Sequence, residues 1–178
     1  MSWRLKDWYV LSEQTLSRER DDRTVAKSEW HALSDAWRQV FTNKEDKALH
    51  DIWNAVYVIW ISIPLTFDYG ALTNPTAYIG KGMAHARFRD HIDSKLMPTL
   101  DLLKGAKFDF WVLECASDDI ARSSEAKMLQ FFEETYGRLP IFNKSRPSPT
   151  AAKPHPDCWK PLDRRRAGRQ RTWAVRPI

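Results

Sequence analysis

The chain has 178 residues, 43% hydrophobic and 29% charged, a balance that suits one soluble compact domain with an extension. The first twenty residues hold no apolar run suited to a signal peptide, and the longest apolar stretch (55–67) is interrupted and too short to span a bilayer, so a cytoplasmic protein with no membrane partner is expected. The net charge of +5 is unevenly spread, at +8 over residues 144–178 and −3 over residues 1–143, so the basic character belongs to one segment.

Residues 1–53 read as a helical extension. Trp30, Leu33, Trp37, Val40 and Phe41 make one stripe of an amphipathic helix with Ser28 at its N-cap. A short helix over 45–53 follows, with Leu49, Ile52 and Trp53 turned inward.

From residue 54 the period changes. AVYVIWISI (55–63) is β-branched and aromatic on both parities, the pattern of a strand covered on both faces, and FDFWVLEC (108–115) has the same character. TAYIG (76–80) makes a shorter strand, with turn chemistry before it at Asp68-Tyr-Gly70 and Asn74-Pro75. AHARFRDHIDSKL (84–96) is helical, with Phe88, Ile92 and Leu96 four apart. Residues 118–137 form a second helix with Asp118 as N-cap and Gly137 as stop. The order strand, strand, helix, strand, helix predicts an α/β (α+β) domain over 54–144, a three-stranded sheet with helices on both faces.

Residues 145–178 hold prolines at 147, 149, 154, 156 and 161, then RRRAGRQR (164–171), and read as an extended basic tail. The two cysteines make no disulfide framework, and His155-Pro-Asp-Cys158 is half of a metal knuckle without a second half.

Several side chains stand out for their chemistry. Glu125 sits inside the apolar stripe Ala121, Met128, Leu129 and Phe132, where an ionised carboxylate is costly unless it is paired, to Lys127 or Arg122 for example, or holds a metal. Arg87 and His91 lie four apart on one helix face, either solvated or offering a guanidinium fork beside a proton carrier. Tyr57 and Tyr78 fall on neighbouring strands, either as packed rings or as phenols whose acidity nearby cations raise.

Taken in order, these positions resemble the GIY-YIG nuclease superfamily. Ala55-Val56-Tyr57 stands at the first motif position and Tyr78-Ile79-Gly80 at the second, followed by Arg87, His91, Glu125 and Pro140-Ile-Phe-Asn143. The resemblance covers about residues 54–144. It departs from the family pattern in lacking the first glycine and in a long link between the tyrosines, an inserted loop at 63–75.

The resemblance implies a GIY-YIG-like fold, with a small, mainly antiparallel sheet, and a divalent-metal-dependent DNA endonuclease using Mg²⁺ or Mn²⁺ at Glu125. It implies Tyr57 as general base assisted by Tyr78, Arg87 on the scissile phosphate, and His91 as proton shuttle or tyrosine-orienting group. Lys81 would contact phosphate or lower a tyrosine's pKa, and Gly80 and Asn143 would be structural. The basic tail, with Lys144, Arg164, Arg165, Arg166 and Arg169, would neutralise DNA phosphates, RNA remaining open, and Trp159 and Trp173 would stack on bases or pack on the domain. Cutting both strands would call for a homodimer. Restriction, mobile-element, repair and toxin roles all remain open. An alternative is a nucleic-acid-binding protein that kept the fold without turnover. An unrelated α/β protein would leave Glu125 far from both tyrosines.

Overall fold

A computed structural model describes residues 2–5, 8–11, 49–62, 64–96, 98–99, 103, 108–162 and 173–176. Within them the chain runs through strands β1 (Ser2–Leu5), β2 (Trp8–Leu11), β3 (Ala55–Ile61), β4 (Leu65–Asp68), β5 (Thr73–Asn74) and β6 (Thr76–Gly82). Helix α1 (Ala84–His91), strand β7 (Phe108–Glu114), helix α2 (Asp118–Tyr136) and strand β8 (Trp173–Val175) complete it. The architecture is α+β, with two helices and two sheets among the described residues.

The main sheet has the order β1-β2-β7-β3-β6 with every neighbouring pair antiparallel. Its last three strands are those expected from the sequence, and all seven residues of β3 are buried, as a central strand covered on both faces requires. Register sorts the side chains. Tyr57 lies opposite Gly80 and Val112, while Val56 lies opposite Lys81 and Leu113. Phe88 of α1 meets Phe110 at 4.7 Å and Phe110 meets Tyr57 at 5.3 Å, so α1 covers the Tyr57 face. Lys81, on the opposite face, bonds Asp118 in the first turn of α2, so α2 covers the other.

The N-terminal strands correct the reading of residues 1–53 as wholly helical. Trp8, Tyr9 and Val10 are strong β-formers, and they cover the edge that β7 would otherwise expose. The expected helix stripe at residues 30–41 lies outside the described residues. Over 45–53 the described part is a 3₁₀ turn, Leu49–Asp51. Ile52 is buried, but Trp53 is 65% exposed rather than turned inward. The turn is tight because Ile52 must offer its carbonyl to the Ala84 amide just before β3 begins.

Residues 63–75, expected as a loop, hold the β4–β5 hairpin of a second sheet, ordered β5-β4-β8, in which β8 pairs parallel with β4. The Asp68-Tyr-Gly70 turn is present, with the Gly70 amide bonded to the Asp68 carboxylate and Gly70 at φ 93°. Phe67 and Tyr69 give this hairpin a buried face, and the Tyr69 hydroxyl bonds the Thr76 carbonyl.

Helix α2 is capped by Ser117, whose hydroxyl accepts from the Ile120 amide, rather than by Asp118 one residue later. Gly137 closes it in the left-handed region at φ 83°, as the sequence predicts. Helix α1 gives way after His91 to a π-turn over Ile92–Leu96, short of the continuous helix expected to residue 96.

Residues 144–155 have no regular secondary structure, residues 156–159 form a turn and Lys160–Leu162 a 3₁₀ helix, so the segment is not extended throughout, and it is bound to the domain rather than loose. Thr150 donates to the Asp119 carbonyl, the His155 amide to Ser124, and the Trp8 indole to the Asp157 carbonyl. Cys158 and Leu162 are buried. The arginines at 164, 165, 166 and 169 lie outside the described residues.

Two substitutions separate these contributions under urea denaturation. Ser117→Ala costs about 0.5–1 kcal/mol through the lost cap. Trp8→Ala, emptying a fully buried site on β2, costs about 3–5 kcal/mol if the N-terminal strands belong to the core.

Candidate functional site

The site forms where β6 ends and two glycines interrupt it. A Cβ on Gly80 would stand 2.5 Å from the Tyr78 ring and 2.6 Å from the Tyr57 hydroxyl, so both rings lie over bare backbone. Gly82 has φ 133°, and a Cβ there would meet the Arg87 side chain at 3.0 Å. Gly80-Lys-Gly82 therefore makes room for the tyrosines on one side and for the arginine stem on the other.

Tyr57 and Tyr78 share one sheet face and stack with ring centroids 6.0 Å apart. The Tyr57 hydroxyl lies 2.7 Å from Nε2 of His91, whose ring packs 4.5 Å from that of Tyr78. Both Tyr57 and His91 are almost wholly buried. Burial outweighs every other influence on His91, with Lys95 and Arg87 adding to it, and its pKa falls to about 3, so the imidazole is neutral. The expectation that nearby cations draw the tyrosine pKa values down is not met. Burial, reinforced by Tyr78, raises Tyr57 far above the usual phenol value against the pull of Arg87, and burial likewise raises Tyr78.

Tyr78 is the phenol that reaches solvent. It lines a cleft of about 370 Å³ with Glu125, Lys95, Phe142, Asn143 and Lys144. A second hollow of about 480 Å³, against Phe131, Trp159, Lys160 and Leu162, is apolar and far poorer in acid–base groups. Asn143 exchanges two hydrogen bonds with the backbone of Ile79, at 3.0 and 2.7 Å, and the Phe142 amide bonds the Ala77 carbonyl, so this segment runs along the edge of β6 and walls the cleft.

Glu125 comes from α2 on the other side of that edge. Its helical neighbours are engaged elsewhere, Lys127 with Gln130 and Arg122 with Asp118, which leaves the carboxylate to the cleft. Burial raises its pKa to about 7 despite the opposing fields of Lys81, Arg87 and Arg122. Among the described residues no group of three or more His, Cys, Asp or Glu side chains could jointly hold a metal ion. Arg87 is exposed and reaches Asp90 at 3.6 Å, a weak surface pair that a phosphate would readily displace.

The sequence-predicted residues Tyr57, Tyr78, Gly80, Lys81, Arg87, His91, Glu125, Asn143 and Lys144 thus gather around one end of β6, with Glu125 close enough to both tyrosines to act on them electrostatically. Lys95 was not among them. Its Nζ lies 2.7 Å from His91 Nδ1 and 4.6 Å from the centre of the Tyr78 ring. The signal for it was present, since Lys95 follows His91 by the same four-residue step that links Arg87 to His91.

Gly80→Ala is expected to destabilise by about 1–3 kcal/mol, because the buried Tyr57 ring cannot retreat, and to alter the near-ultraviolet dichroism of the tyrosines. Glu125 sets a pH dependence. Its folded-state pKa exceeds the ordinary value, so the folded chain binds the proton more tightly and stability falls as pH rises from about 4.5 to about 7. Without divalent cations, Glu125→Gln should match wild type near pH 4 and exceed it by on the order of 2 kcal/mol at pH 8 by calorimetry. No family model matches the chain, nor does a curated protein or a solved structure, so a functional reading rests on this geometry.

Proposed function

We propose that the chain is a divalent-metal-dependent endonuclease that hydrolyses DNA phosphodiester bonds with a GIY-YIG-like site. The observation that carries the reading is the convergence of two tyrosines, a neutral histidine, an exposed arginine and a carboxylate, drawn from β3, β6, α1 and α2, around one end of β6, where Tyr78 and Glu125 line a cleft.

The donor chemistry of Glu125 fits Mg²⁺ or Mn²⁺. A carboxylate half out of water, left without an ion-pair partner on its own helix, is stabilised by a hard cation that takes its remaining ligands from water and phosphate oxygens. When bound, such an ion supplies Lewis-acid stabilisation of the leaving oxygen. The remaining work belongs to the side chains. Arg87 and Lys144 bind the phosphate from solvent-facing positions, and Lys81, held by Asp118, adds positive field near Glu125. Tyr78 presents its hydroxyl to the cleft, where it orients the attacking water or exchanges a proton with it. Tyr57, sealed from solvent, passes no proton to water directly. It holds Tyr78 and His91 in place.

Purified protein incubated with supercoiled plasmids and Mg²⁺ or Mn²⁺ should nick or linearise them, and Glu125→Ala and Arg87→Ala should each lower the rate at least about 100-fold. DNA binding by wild type and both variants, without cleavage of any plasmid or of mixed genomic DNA, would sink the nuclease and favour the non-catalytic binding protein.

A further inference from the structure

His91 sits between two partners, one at each ring nitrogen, and the chemistry of those partners is not symmetric. Tyr57 can donate or accept, so its 2.7 Å contact with Nε2 leaves the direction of that bond undecided. Lys95, at 2.7 Å from Nδ1, is an ammonium with three donors and no lone pair. A neutral imidazole carries one proton. If Nδ1 accepts from Lys95, that proton is on Nε2, and Nε2–H donates to the Tyr57 oxygen. The Tyr57 hydroxyl then accepts from the imidazole, and its ring stacks on that of Tyr78, which lines the cleft.

We propose that Lys95 is a positioning residue that fixes His91 in the Nε2–H tautomer and so sets the direction of the hydrogen-bond chain Lys95, His91, Tyr57, whose last ring stacks on Tyr78 at the cleft. Three independent constraints place its ammonium: the His91 nitrogen, the face of the Tyr78 ring at 4.6 Å, and the π-turn Ile92–Leu96, which carries Lys95 one turn beyond His91. The groups facing the imidazole from the sheet are the two tyrosine rings, at 5.4 and 4.5 Å, and neither supplies a charge that would override the lysine. The catalytic use of this chain rests on the nuclease reading. The tautomer does not.

The test is long-range ¹H–¹⁵N correlation spectroscopy on the full, metal-free, ¹⁵N-labelled chain near pH 7, which reads which nitrogen of His91 bears hydrogen. Wild type is expected to show a pure Nε2–H pattern. Lys95→Met, which keeps the apolar stem but removes the donor, should give a mixture or the Nδ1–H form. Lys95→Arg, a donor without an acceptor, should restore Nε2–H. An Nδ1–H or doubly protonated His91 in wild type overturns the proposal even if no variant folds, and so does a pure Nε2–H pattern in folded Lys95→Met. In plasmid cleavage Lys95→Met should lose about 10- to 100-fold while Lys95→Arg recovers most of that loss. Because the spectra need no turnover, a protein that never cuts DNA would defeat the nuclease reading and leave the tautomer result standing.

Discussion

A hydroxyl buried in a covered sheet face costs on the order of 1–3 kcal/mol if it finds no partner, and Tyr57 brings such a hydroxyl to the middle of the main sheet. His91 answers it, and much else follows from that one bond. It fixes the rotation of α1 against the sheet, because the face that presents His91 also presents Phe88 to Phe110. It requires the Tyr57 ring to lie over β6, which only a residue without a side chain at position 80 permits. It also holds a neutral imidazole among cations, with Lys95 on its far side. The site is thus an outgrowth of how a polar group is satisfied in the core, and its geometry is as rigid as the packing around it.

The contrast within the site is one of water. Tyr57 and His91 are sealed, whereas Tyr78 and Glu125 are half in the cleft and Arg87 is outside it. Groups on the sealed side hold their protons and orientations, and those on the open side are able to meet a polyanion. A carboxylate with pKa about 7 beside lysine and arginine is poised between neutral and charged forms, so a bound cation or phosphate shifts its state with little reorganisation.

Much of this was legible in the sequence where the pattern was local. β3 announces itself as an unbroken apolar run and β7 as a largely apolar one because both faces are covered, and α2 carries its stripe and its glycine stop. The tyrosines, Arg87, His91 and Glu125 were found by order along the chain, and the fold brings them together. What the sequence hid depends on distant pairing. Trp8 to Leu11 is a four-residue strand whose partner is a hundred residues away, and β4 draws its parallel neighbour from residues 173–175. Of the two readings left open for the tyrosines, packed rings and acidified phenols, burial favours the first, because its depth outweighs the count of nearby cations. The N-cap went to Ser117 rather than Asp118 because the helix starts one residue earlier than a cap at its first acidic side chain would place it.

The parallel pairing of β4 with β8 has a bearing on the order of assembly. Strands β3, β6 and β7 lie within sixty residues of one another and are all made before α2 is complete. β2 has to wait for β7, and β4 cannot gain its second neighbour until residue 175 has been synthesised. Loop closure over such spans slows folding, so the centre of the main sheet, built from nearby residues, is favoured to form before the β4–β5 hairpin gains its second neighbour. Until residues 173–175 pair with it, that flank of β4 is an open strand edge.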